Sequence, residues 1–104
     1  MTSAGIESLK FEFKGARAPA AFAPTLVGVV ASGNLEVLLE PTDPGVCRID
    51  VQTSARGFAR IWEAVLRDFH DRHDLSGVAV SIHDMGATPA VVSLRLDQAV
   101  AEIE

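Results

Sequence analysis

The stretch TLVGVVASGNLEVLLE, residues 25–40, sets two runs of valine and leucine on either side of a small polar step, Ser32, Gly33 and Asn34. Both runs carry the β-branched and aliphatic side chains that suit a pleated, half-buried surface. The residues between them are ones that accept a positive φ. The pattern predicts two strands joined by a tight hairpin turn at residues 32–34.

Upstream, Leu9, Phe11 and Phe13 alternate with Lys10, Glu12 and Lys14, the period of two expected for a strand with one buried face. The segment GARAPAAFAP that follows reads as an irregular connector, because its prolines and small residues break both periods. Downstream, PTDPG is a second strong turn, and VCRIDVQT sets Cys47, Ile49 and Val51 against Arg48, Asp50 and Gln52. These runs predict three consecutive antiparallel strands.

Ser54 stands where an N-cap belongs. Phe58, Ile61, Trp62, Val65, Leu66 and Phe69 follow at helical spacing, with Glu63 and Arg67 as a favourable i, i+4 pair on the outer face. The last third reads as two more strands, GVAVSIHD and AVVSLRLD, joined at MGATP, with QAVAEIE suited to a short closing helix. The expected fold is α+β: a small, mostly antiparallel β-sheet with one main amphipathic helix packed on one face. The chain is expected to form a single domain, 1–104, with residues 1–5 flexible.

Bulk properties narrow the functions. A chain of 104 residues has room for one core, and 48% hydrophobic with 22% charged residues is an ordinary globular balance. A net charge of -5, with no run of Lys or Arg, argues against nucleic acid, which requires a basic face. One cysteine cannot form an intrachain disulfide, so nothing asks for an oxidising compartment. MTSAGIESLK has no apolar signal region, and TLVGVVA is far short of the ~20 residues that span a bilayer. A cytoplasmic protein with no membrane insertion is expected.

The catalytic constellations fail one by one. Around Ser32, the glycines that a nucleophile elbow needs two residues before and after are Val30 and Asn34. His83 and Asp84 are neighbours on a predicted strand and should face opposite ways, so Asp84 cannot orient His83. His70 and His73 share a helix face without a third strong ligand, which reads as a solvated last turn suited to the helix dipole. Cys47 reads as a small buried hydrophobe, and Trp62 and the helical phenylalanines as core. Arg56 and Arg60 oppose the dipole at the helix start, so they are either solvated or meet an anion. No catalytic residue and no metal ligand is expected.

Ser32 has two readings. It is a turn residue, or an exposed hydroxyl between the small Ala31 and Gly33 that a transferase can reach on a rigid support. Here the sequence resembles a known family. GVVASGNLEVL and IHDMGATPAVVSLRLDQ resemble the acyl carrier subunit, or delta subunit, of malonate decarboxylase, in which GVVGSGD-EVL-like and IHDFGATPGVARIRIEQ-like segments stand at a similar separation. The likeness runs from Val27 to Gln98.

The resemblance implies that Ser32, with Gly33 beside it, is the covalent attachment point of 2'-(5''-phosphoribosyl)-3'-dephospho-CoA, joined through a phosphodiester and carrying acetyl or malonyl as a thioester. It implies a subunit that is not an enzyme by itself. Its implied partners are the acyltransferase and decarboxylase subunits of one complex and a prosthetic-group transferase. Two positions depart from the family pattern: Asn34 stands for an aspartate, removing a charge beside the attachment point, and Met85 for a phenylalanine. IHDMGATP itself reads as a structural hairpin or a docking segment. The citrate lyase acyl carrier, which bears the same group, fits IHDMGATP less well, and an unmodified structural or binding module is the alternative from another class.

Overall fold

Five strands place their alternating apolar residues on one shared face. In the computed structural model, which describes residues 5–104, the chain runs β1 (Glu7–Lys14), β2 (Thr25–Gly28), β3 (Leu35–Pro41), β4 (Val46–Thr53), α1 (Ala59–His73), β5 (Val78–Asp84) and α2 (Pro89–Ile103). The strand order is β1-β4-β5-β3-β2, with every pair antiparallel except β4 and β5. The class is α+β. The expectation of flexibility at residues 1–5 falls almost wholly outside the described residues, and Gly5 lies in a turn.

One face of the sheet is the core. Leu35, Val37 and Leu39 of β3, Cys47, Ile49 and Val51 of β4, and Val78, Val80 and Ile82 of β5 are buried against Trp62, Leu66 and Phe69 of α1 and Val92, Leu96 and Val100 of α2. Each such aliphatic side chain contributes roughly 1.5–3 kcal/mol by leaving water. The opposite face carries Lys10, Glu12, Arg48 and Asp50 and stays in solvent, where Arg48 pairs with Glu12 at 2.9 Å.

Four expectations change. Strands β3 and β4 are not neighbours, because β5 lies between them and pairs with both. The β4-α1-β5 crossover makes β4 and β5 parallel, as a long helical connection allows and a hairpin does not. Second, AVVSLRLD is helical and joins QAVAEIE in one fifteen-residue helix, so a second full helix covers the sheet where a strand and a short closing helix were expected. Thr88 caps it by accepting from Val91 N, and Pro89 takes the first helical turn, where its missing N–H costs nothing.

Third, α1 starts after Phe58 without a side-chain cap, and Ser54 instead donates its backbone N–H to the Asp84 carbonyl at 3.1 Å. Gly57, at φ +87, sets the break before the helix. Phe58 is 47% exposed and so lies outside the core assigned to the helical phenylalanines. Fourth, β2 ends at Gly28, three residues short of Ala31, where the expected strand ends. Gly28 has φ +87, and a Cβ there would strike the Leu35 carbonyl, so the strand cannot continue through a residue with a side chain. The expected Glu63–Arg67 pair forms at 3.3 Å.

Candidate functional site at the Ser32 turn

The β2–β3 connection closes on itself in its second half. Asn34 N–H donates to the Ala31 carbonyl at 2.9 Å, which makes Ser32 and Gly33 the two central residues of a β-turn. Gly33 has φ +73, as a type II turn requires at its third position. Ser32 is exposed, and a Cβ built on Gly33 would meet nothing within 4 Å, so the space beside the hydroxyl is open.

The turn is fastened from outside as well. Gly33 N–H donates to the Met85 carbonyl at 2.7 Å, and Met85 N–H donates to the Asn34 carbonyl at 3.0 Å. Met85 is held in turn by its neighbour: the buried Asp84 carboxylate accepts from the Thr53 hydroxyl at 2.8 Å, Gly86 N–H at 3.1 Å and Ala87 N–H at 3.0 Å. A carboxylate with three donors is a stable corner post. The segment IHDMGATP, expected as a hairpin, is therefore a strand-to-helix corner built around Asp84, and it grips the Ser32 turn.

Asn34 does more than lose a charge. Its Oδ1 accepts from Leu35 N–H at 2.9 Å and from Arg95 Nε at 3.2 Å, both roles open to any side-chain carbonyl oxygen. Arg95, on α2, also donates from Nη1 to Gln98 Oε1 at 3.0 Å. Its Nη2 makes no hydrogen bond among the described residues, which leaves a cationic donor beside the turn. An exposed hydroxyl, open space at Gly33 and a guanidinium at the base together fit a covalently attached anionic group such as a phosphodiester. Arg95 could not be found from the sequence read as a strand; on a helix starting at Pro89 it falls one turn in, on the side facing β2 and β3.

The other candidates lie elsewhere. His83 is exposed, with Nδ1 3.5 Å from Glu36 Oε2, while Asp84 is buried, so the two face opposite ways as their strand period requires. His70 and His73 are not solvated. His70 is buried, stacks on Phe13 and donates from Nε2 to the Lys14 carbonyl at 2.7 Å; His73 Nε2 meets Asp97 Oδ1 at 2.8 Å. Among the described residues, no group of three or more His, Cys, Asp or Glu could hold a metal ion. Cys47 is fully buried, and burial pushes its thiol up to about 12. Arg56 and Arg60 are exposed and make no ion pair among the described residues. Among the described residues, no helix is long and apolar enough to cross a membrane.

Beside the Asp84 corner, the N-terminal ends of α1 and α2 leave an apolar groove of about 250 Å³, lined by Phe58, Ile61, Trp62, Val65, Ala87 and Val92 among others. Of the large apolar residues that stay exposed, Val29, Val30 and Met85 surround the Ser32 turn, and Phe58 and Ile61 flank this groove.

A small α+β domain that offers one serine on a fastened, accessible turn has the form of a carrier, a protein that presents an attached group to others. The family model described as Malonate decarboxylase delta subunit (MdcD) matches residues 23–103, and the chain belongs to this family of malonate decarboxylase acyl carrier proteins. It is 68% identical over 99 residues to the malonate decarboxylase acyl carrier protein of Burkholderia cepacia, covering 95% of this chain and 92% of that one. The carrier of Acinetobacter calcoaceticus is 48% identical, with 92% and 95% covered. Among solved structures, a chain of a Pseudomonas malonate decarboxylase hetero-tetramer in complex with malonate matches with a TM-score of 0.86 and 46% identity, covering 94% of this chain and 99% of that one.

Proposed function

We propose that this chain is the acyl carrier subunit of a malonate decarboxylase, folded as one domain, with a 2'-(5''-phosphoribosyl)-3'-dephospho-CoA arm joined to Ser32 through a phosphodiester. The observation that carries the reading is the Ser32 turn: exposed at its tip, fastened by backbone bonds to Met85 and by Asn34 to Arg95. When bound, the arm supplies a thiol that holds acetyl or malonyl as a thioester, whose carbonyl accepts the electron pair that departing carbon dioxide leaves behind.

The protein's own residues present and do not catalyse. Gly33 keeps the approach to the Ser32 hydroxyl clear, Arg95 offers a cation to the phosphodiester, and the fastened turn fixes the base from which the arm swings. Tethering raises the arm's effective concentration at each active site it visits. The apolar rim of Val29, Val30 and Met85 suits contact with the acyltransferase and decarboxylase subunits and with the transferase that attaches the arm. We place the protein in the cytoplasm.

Intact-protein mass spectrometry with peptide mapping, on the chain purified with its complex from its host, tests this. The expected result is one added mass equal to the arm, on the peptide holding Ser32, and acyl loading from malonate and not from citrate. An unmodified Ser32 in an active complex overturns the reading and leaves a scaffold; loading from citrate instead moves the protein to the citrate lyase carriers.

A further inference from the structure

We propose that the groove between the starts of α1 and α2 is a resting seat for the thiol-bearing end of the arm attached at Ser32, so that the carrier shelters its own reactive end between visits to its partners. The proposal rests on the carrier reading above.

Three features point to this occupant. The first is continuity: Met85, bonded to Gly33 and Asn34, leads directly into Gly86, Ala87, Thr88 and Pro89, which form one wall of the groove. An arm leaving Ser32 across this corner toward the helices runs along that wall. The second is chemistry. The walls are Phe58, Ile61, Trp62, Val65, Ala87 and Val92, apolar and aromatic groups that suit the gem-dimethyl and thiol-bearing chain of a pantetheine and exclude its phosphates. Asp84, which also lines the groove, has its carboxylate oxygens engaged by three donors of the corner and is 3% exposed.

The third is exposure. Phe58, at the start of α1, is 47% and Ile61 46% exposed, whereas Trp62, Leu66 and Phe69 of the same helix are buried, which leaves the mouth of the groove unpartnered in the isolated chain. Covering it with a tethered group removes that apolar area from water without the entropy cost of recruiting a second molecule.

Trp62 is the sole tryptophan and lines the groove, so its emission reports the seat directly. The protein is made with and without its modifying enzymes, and intact mass first establishes which sample carries the arm; no added mass in either is a failure of the carrier reading and not of the seat. In the loaded protein, the arm thiol is titrated with an aromatic disulfide reagent, to which Cys47 is silent because it is fully buried. The expected result is a shift in Trp62 emission on loading, and a thiol that reacts about fivefold slower than free pantetheine, as for an end seated about four-fifths of the time.

Filling the groove with Ala87→Phe, or charging its mouth with Ile61→Glu on the exposed face of α1, should restore the free rate and abolish the emission shift. Since Ile61 is itself 46% exposed, Ile61→Glu keeps the test open should Ala87→Phe fail to fold. A loaded thiol that reacts at the free rate, with Trp62 emission equal to that of the unloaded protein, overturns the proposal and leaves the groove to a partner subunit.

Discussion

The two ends of the sheet are built differently. At the end away from Ser32, nearly every group is tied down. Arg17 donates to the His73 carbonyl and to Glu104, both at 2.9 Å; Arg72 bridges Asp68 and Asp97; His73 meets the same Asp97; and His70 holds the end of β1. The Ser32 end has two helix starts, five exposed large apolar residues and two arginines, Arg56 and Arg60, without an ion pair among the described residues. There the turn and its corner are fastened to each other, and the start of α2 is capped by Thr88.

The contrast separates two tasks. On the carrier reading proposed above, the Ser32 end is the one presented to other proteins, and the stabilising contacts gather at the end away from it. A partner surface needs exposed apolar area that a stability-driven sequence would bury. The turn itself is held through backbone bonds that no side-chain substitution at Ser32 would break.

The largest expected effect comes from Ser32→Ala. It should abolish loading of the arm outright while urea unfolding stays within about 0.5 kcal/mol of the parent, because the hydroxyl is exposed and makes no hydrogen bond among the described residues. A large loss of stability would break the comparison, since it would make Ser32 part of the frame.

Next come two phenylalanines on one stretch of chain. Phe69→Ala, in the tied end and fully buried, should cost about 3–5 kcal/mol by chemical denaturation. Phe58→Ala, 47% exposed at the working end, should cost about 0.5 kcal/mol or less, and its effect should fall on acyl transfer by the assembled complex. Equal costs would mean that the ends do not differ in how they carry stability.

Arg95→Met sharpens the account of the turn. It keeps the aliphatic stem and removes the donor to Asn34, so global stability should fall by only about 1 kcal/mol, the net worth of such a bond. Hydrogen exchange at the Gly33 amide should speed up by about fivefold, read by NMR, with slower attachment of the arm. Unchanged exchange would show that the Met85 bonds alone hold the turn.

The tied end was less legible in the sequence than the working end. The turn was readable because its residues are contiguous: Ser32, Gly33 and Asn34 state a turn, whatever the rest of the chain does. The sheet order was not, since pairing β5 between β3 and β4 depends on where α1 sends the chain, which no local pattern encodes. Helix α2 was misread because Val92, Leu94 and Leu96 alternate like a strand; Leu94 is 52% exposed, and the helical set is Val92, Leu96, Ala99, Val100 and Ile103. The Thr88-Pro89 start was the overlooked signal. His70 and His73 read as solvated for the same reason: their partners, Lys14 and Asp97, lie on elements far away in sequence.

The smallest effect concerns Asp97 and gives the tied end its pH dependence. Partial burial pushes this carboxyl up, but hydrogen bonds and charge from His73 and Arg72 outweigh it and hold it below the ordinary 3.8. A carboxyl lowered in the folded state contributes stability that is present in full above its unfolded value and lost as the pH falls through the folded one. The contribution should therefore be constant from neutral pH down to about 3.8 and fade below it. The side chain is 45% exposed, so solvent screening keeps the effect under about 1 kcal/mol. Comparing urea midpoints of the parent and Asp97→Asn isolates the group from the other carboxylates: the gap between them should hold at neutral pH and close in acid. A gap that stays open in acid would mean that the Arg72–Asp97–His73 cluster fastens the helices by packing and not by charge.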